Sequence, residues 1–198
     1  MLRLLAIVAA LGCVSLVVGT LIAQNVVPGH DPIADTISDL GAGRYEIIMD
    51  VALYGFAAGL LAVALASAHA HLGDTGWSAG VLSFAVLAAL VVVIGARNEY
   101  GDKDSEGVVI HVYLVWGLGL FFTVAPFCMA SSAGAFISWT KPALIGLGAL
   151  WLAAAPVFFF LPTGIDGLYE RALCGIAVAQ VLVFAWLFWQ RAGATARV

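Results

Sequence analysis

Residues 24–46 read QNVVPGHDPIADTISDLGAGRYE, a polar, turn-rich connector between two long apolar runs. The stretch gathers His30, Asp31, Asp35, Ser38, Asp39 and Arg44. The flanking runs, from about Leu4 to Ala23 and from about Ile47 to Ala70, carry almost no charge. A hydrocarbon core about 30 Å thick takes roughly 20 apolar residues per helical span, so each run is long enough to cross a bilayer. That contrast decides the fold class, because it makes the connector the aqueous end of a transmembrane hairpin.

Outward from this hairpin, the same alternation recurs twice. Runs from about Trp77 to Ala96 and from about Val108 to Met129 flank RNEYGDKDSEG at 97–107. Runs from about Ala143 to Leu161 and from about Leu168 to Trp189 flank PTGIDG at 162–167. The pattern predicts an all-α integral membrane bundle of six transmembrane helices, arranged as three hairpins with their polar connectors on one face. Composition agrees: 63% of the 198 residues are hydrophobic and only 10% charged, against about a quarter charged in a soluble domain. Six spans nearly exhaust the chain, which leaves a single domain over 1–198 and no room for a separate soluble one.

Local features refine this reading. Arg3 before the first run suggests a signal peptide, and Ala10-Leu11-Gly12-Cys13 faintly resembles a lipoprotein cleavage site. The apolar run continues about ten residues past Cys13, whereas a cleaved apolar region is only about 7–15 residues long, so the expectation is a retained span. Gly55 and Gly59 share one helix face and allow close approach of a neighbour. Ser131, Ser132 and Gly134 predict a loop after the fourth span, and Pro142 suits the first turn of the fifth. Cys13, Cys128 and Cys174 fall in apolar segments and read as packing residues.

The net charge of -4 and the lack of any basic run argue against nucleic acid, which requires a basic surface. Of the 12 carboxylates only Asp74 lies outside the three connectors and their flanks. Lys and Arg divide evenly, Arg3, Lys141, Arg191 and Arg197 on one face against Arg44, Arg97, Lys103 and Arg171 on the other. Each of the latter four lies within two residues of a carboxylate, which weakens it as a topology signal. The expectation is a multi-pass protein of the cell membrane with both termini cytoplasmic and the acidic connectors extracytoplasmic.

Several chemical constellations are open. His30, Asp31 and His111, with Asp39 or Glu99 nearby, offer nitrogen and oxygen ligands for a catalytic zinc; no short spacing such as HExxH supports it, so zinc is not favoured. The plain alternatives are a solvated His30 and a hydrogen-bonded interfacial His111. Thr36 and Asp39 have capping-box spacing; the functional alternative makes Asp39 a base or acceptor aimed into the bundle mouth beside His111. Arg44, Arg97 and Arg171, with Ser38, Asn98, Glu99 and Glu170, could hold a lipid head group. The structural alternative pairs Arg97 with a connector carboxylate and Arg171 with Asp39 or Asp50. Asp102, Lys103, Asp104 and Glu106 read as a solvated tip, and His69 and His71 lack the partners a haem would need.

At HDPIADTISDLGAGRY the chain resembles a family of prokaryotic six-span membrane proteins catalogued as domain of unknown function 998. The resemblance rests on Asp35, Ser38, Asp39 and Leu40 after the first span, on His111 at the start of the fourth, and on Gly167, Leu168, Glu170 and Arg171 opening the sixth. It covers essentially the whole chain and implies no established reaction. Its distant similarity to eukaryotic six-span proteins of lipid remodelling implies membrane lipids as partners. The leading expectation is therefore a membrane protein that binds a lipid or amphiphile at its polar mouth. The alternatives are a lipid hydrolase working through His30, Asp39 and His111 and, ranked lower for want of ionisable groups near the midplane, a small transporter.

Overall fold

A computed structural model describes residues 1–96 and 111–195. Arg97, Asn98, Glu99 and the acidic tip lie outside the described residues. The spanning helices are α1 (Leu2–Val26), α2 (Glu46–Ala70), α3 (Thr75–Ala96), α4 (His111–Phe136), α5 (Thr140–Ala154) and α6 (Asp166–Thr195). A 3₁₀ segment over Ala155–Phe160 continues α5, and two short 3₁₀ turns, Ser38–Gly41 and Gly43–Tyr45, precede α2. With that extension, all six are long and apolar enough to cross a membrane. Helices are the expected solution, since in hydrocarbon every backbone N–H and C=O must find its partner within the protein.

Side chains are distributed as a lipid solvent requires. On α1, Leu4, Leu11, Val14, Val18 and Leu21 face outward, whereas Ala6, Ala9, Cys13 and Leu16 are buried. Large residues thus face the acyl chains and small ones face neighbouring helices, where close packing holds the bundle together. Gly12 shows how close: a Cβ there would lie 2.7 Å from the Gly55 carbonyl oxygen and 2.8 Å from the Gly59 Cα. The expected packing role of Gly55 and Gly59 is thereby met by α1.

Each helix packs on the next in sequence, and α6 closes the ring against α1. The buried face of α6 carries Leu173, Ala177, Val181, Phe184 and Phe188. Phe184 meets Phe84 edge-on with centroids 5.0 Å apart, and Phe188 meets Trp77 in the same way at 6.5 Å, so α6 also reaches α3. At the far end Arg3 lies over the Trp189 ring at 5.5 Å, which sets the start of α1 beside the last turns of α6.

Two boundaries differ from the sequence expectation. The loop expected at Ser131–Gly134 is helical, and α4 runs on to Phe136. Ala133 is fully buried there, and Ser132 packs against Gly73, whose added Cβ would lie 2.2 Å from the serine Oγ. Conversely, α5 stops at Ala154, short of the expected Leu161. Pro156 has no N–H for the α-helical ladder, and the chain tightens into the 3₁₀ segment.

Candidate functional site

The connector between α1 and α2 first organises itself. Asp31 Oδ1 accepts the Ile33 N–H at 2.9 Å, and Asp35 Oδ2 accepts the Asp31 N–H at 2.7 Å. Thr36 and Asp39 then bond reciprocally: Asp39 Oδ2 accepts the Thr36 N–H at 2.8 Å, and Thr36 Oγ1 accepts the Asp39 N–H at 3.1 Å. This is capping-box chemistry, and it starts the 3₁₀ turn over Ser38–Gly41. Ile37 and Leu40 are buried beneath that turn, so the apolar side chains of the connector fix which way its polar ones point.

So shaped, residues 30–38 form a strap across the first turns of α6. Leu168 donates its N–H to the Ile33 carbonyl at 3.0 Å. Arg171 Nη1 donates to the Asp35 and Gly167 carbonyls, both at 2.9 Å. Glu170 accepts the Ile37 N–H through Oε2 and the Ser38 hydroxyl through Oε1, the latter at 3.2 Å. Gly167 lies so close that an added Cβ would come within 2.1 Å of the Asp35 carbonyl oxygen. Only the absence of a side chain there lets the strap lie flat.

His30 locks the outer edge of the strap. Its side chain is 3% exposed, with Nε2 2.9 Å from Arg171 Nη2 and Nδ1 3.7 Å from Asp35 Oδ2. A guanidinium has donors only, so Nε2 faces it with a lone pair and the imidazole is neutral. Burial pushes the His30 pKa below its ordinary value, and the Arg171 charge pushes the same way against the opposing pull of Asp35, Asp39 and Asp31.

Beneath the strap lies a cavity of about 530 Å³. Thr36, Ser38, His111 and Glu170 supply a polar end, and all six helices contribute walls, with Phe56, Val91, Trp116, Phe122 and Leu173 among the apolar residues. Ser38 Oγ lies 3.3 Å from His111 Nε2, so one hydroxyl joins the imidazole of α4 to the carboxylate of α6. Trp116 stacks on Phe159 with centroids 4.6 Å apart along the apolar wall.

Of the candidates named from sequence, Ser38, His111 and Glu170 meet, as do His30 and Arg171 on the strap's outer edge. Others are placed differently. Asp39 is exposed and engaged by Thr36, so among the described residues the carboxylate facing the cavity is Glu170. Arg44 is exposed over the Tyr45 ring, 5.7 Å from its centroid, away from the cavity. Arg171 binds backbone carbonyls and His30 instead of Asp39 or Asp50, and the Asp50 Oδ1 is buried without a partner among the described residues. Among the described residues no group of three His, Cys, Asp or Glu side chains could hold a metal ion. His30, Asp31 and His111 are accordingly kept apart: Asp31 shapes a turn, and each histidine presents Nε2 to a different partner.

The apolar cavity walls went unread in the sequence, since their residues belong to six separate spans. The detectable signal lay in His111 and Glu170, ionisable groups set about one turn inside apolar runs, where they are costly unless partnered.

The chain matches the family described as "Protein of unknown function (DUF998)" over residues 10–187, a stretch that includes every residue of the strap and the cavity's polar end, and it belongs to that family. No curated protein and no solved structure matches it.

Proposed function

From the cavity beneath the strap, we propose that this polytopic membrane protein binds a lipid or other amphiphile. The carrying observation is the cavity itself, apolar along the spans and polar at the strap. Its volume falls within the roughly 300–1,000 Å³ common for small-ligand sites. The acyl portion lies among the helices, and the head group meets Ser38, His111 and Glu170. Among the described residues, Arg171 spends Nη1 and Nη2 on the strap, and Arg44 lies outside the cavity. The strap side is extracytoplasmic in this reading, and the membrane is the cell membrane.

Gly119 offers a direct test. It lines the cavity, and a Cβ there would meet nothing within 4 Å. Gly119→Leu projects a side chain into the cavity without disturbing the Gly119 carbonyl, which accepts from Thr123 and Trp151. Lipid co-purifying with the protein, measured by mass spectrometry, falls several-fold in this variant while thermal unfolding stays near wild type. Unchanged lipid content overturns the proposal.

A second reading, acyl-ester hydrolysis with Ser38 as nucleophile and His111 as base, draws on their 3.3 Å approach. It ranks lower because Glu170 bonds the serine, whereas in such a triad the carboxylate orients the imidazole and leaves the hydroxyl to attack. Labelling by a fluorophosphonate that disappears in Ser38→Ala would raise it above lipid binding alone.

A further inference from the structure

The polar end of the cavity has a chemical sign. Glu170 lines it with a carboxyl group that already accepts the Ile37 N–H and the Ser38 hydroxyl of the strap. Ser38 adds a hydroxyl, Thr36 another oxygen and His111 an imidazole. Among the described residues that line the cavity there is no Lys or Arg. The nearby guanidinium, Arg171, spends Nη1 on the Asp35 and Gly167 carbonyls and Nη2 on His30, its Nε being buried with no partner among the described residues, and it is not among the residues lining the cavity.

Resting on the amphiphile-binding reading, we infer that the head group accepted here is a hydrogen-bond donor without negative charge, an alcohol or an ammonium, and that an anionic phosphate head is rejected. A hydroxyl or ammonium proton finds an acceptor on Glu170 or Ser38. A phosphate monoester would instead set its charge against the Glu170 carboxyl group, and such like-charge approaches act as negative selection in binding sites. Phosphate sites are ordinarily built from Arg, Lys or clustered backbone N–H groups. Here the Ile37 N–H is already donated to Glu170.

The test uses three single-chain probes with the same oleyl or oleoyl tail: monooleoylglycerol, oleylamine and oleoyl lysophosphatidate. Each is added to detergent-solubilised full-length protein, and bound probe is counted by native mass spectrometry for wild type, Gly119→Leu and Glu170→Gln. The expected result is retention of the alcohol or the ammonium by wild type, with the phosphate held about tenfold more weakly or less. Retention of the alcohol alone or the ammonium alone identifies which donor the site takes. All binding is lost in Gly119→Leu, and in Glu170→Gln any preference for ammonium over phosphate shrinks.

Equal retention of all three probes, or tightest retention of the phosphate, overturns the head-group inference while leaving the cavity reading intact, provided that Gly119→Leu abolishes binding. Retention of none of them, or binding indifferent to Gly119→Leu, overturns both. Should Glu170→Gln not fold, the three-probe comparison on wild type decides alone.

Discussion

Replacing Gly167 by alanine adds one methyl group where the strap meets α6. The new Cβ would lie 2.1 Å from the Asp35 carbonyl oxygen and 2.6 Å from its carbonyl carbon, where ordinary contacts are about 3.5–4.0 Å. Both atoms are backbone, so no side-chain rotation relieves the overlap. The strap must move by more than an ångström, and hydrogen bonds of 2.9 and 3.0 Å cannot survive that shift. Those at risk join Leu168 to Ile33, Arg171 to Asp35 and Ile37 to Glu170. Overpacking costs about 1–3 kcal/mol, and each lost hydrogen bond about 0.5–1.5 kcal/mol. Alanine's better helix propensity returns at most about 1 kcal/mol.

The expected net loss is about 3 kcal/mol, or roughly 10 °C in melting temperature at about 2–4 °C per kcal/mol. Thermal unfolding can be followed with a thiol-reactive dye, since Cys13, Cys128 and Cys174 are free. Gly175→Ala is the matched control: it lies on the same helix, is exposed, and has open space where the Cβ would go, so it should hold or slightly raise stability. Digestion by proteinase K, mapped by mass spectrometry, should show new cleavage within residues 27–45 of Gly167→Ala only. If that variant melts with wild type and its strap resists protease, the strap is not held against α6 as described.

Two further outcomes follow from the same geometry. The His30 pKa is lowered in the folded protein, so the strap keeps its full contribution above the unfolded histidine value of about 6.5 and loses it as pH falls below that toward the folded value. Proteolysis within the strap should therefore accelerate between about pH 7.5 and pH 5, and His30→Gln, whose amide oxygen can still accept from Arg171, should flatten that dependence; an unchanged pH profile would remove His30 as its source. Asp39→Ala breaks the reciprocal bonding with Thr36 and should cost about 1 kcal/mol in thermal unfolding while leaving co-purified lipid unaltered, and a strong loss of lipid would return Asp39 to the working site.

The fold was legible because a bilayer leaves few choices: charge-poor runs of spanning length between polar connectors have to be helices. Its limits were less legible where the membrane rule is silent. Ser131, Ser132 and Gly134 have the composition of a loop, yet in a tightly packed bundle small residues are also what lets helices touch, and contacts with Gly73 and Lys141 keep that stretch helical. The site was half-legible. His111, Asp50 and Glu170 stood out as ionisable groups just inside apolar runs, while the sequence put Asp39, ahead of Glu170, at the bundle mouth. Their difference arises from the capping pair with Thr36, which holds Asp39 outside, and from burial of Ile37 and Leu40, which turns Ser38 inward toward Glu170.

The strap also explains why fold and site share residues. A carboxyl group one turn inside a span is costly unless partnered, and Glu170 meets that cost through the Ile37 N–H and the Ser38 hydroxyl, both supplied by the strap. Those same donors position Ser38 and Thr36 at the cavity's polar end. Arg171, the adjacent residue, fixes the strap's outer edge through Asp35 and His30. Loosening the strap therefore does two things together: it strips Glu170 of its partners and uncovers the polar end of the cavity. A ligand bearing hydrogen-bond donors can replace those lost partners, whereas an anionic one cannot.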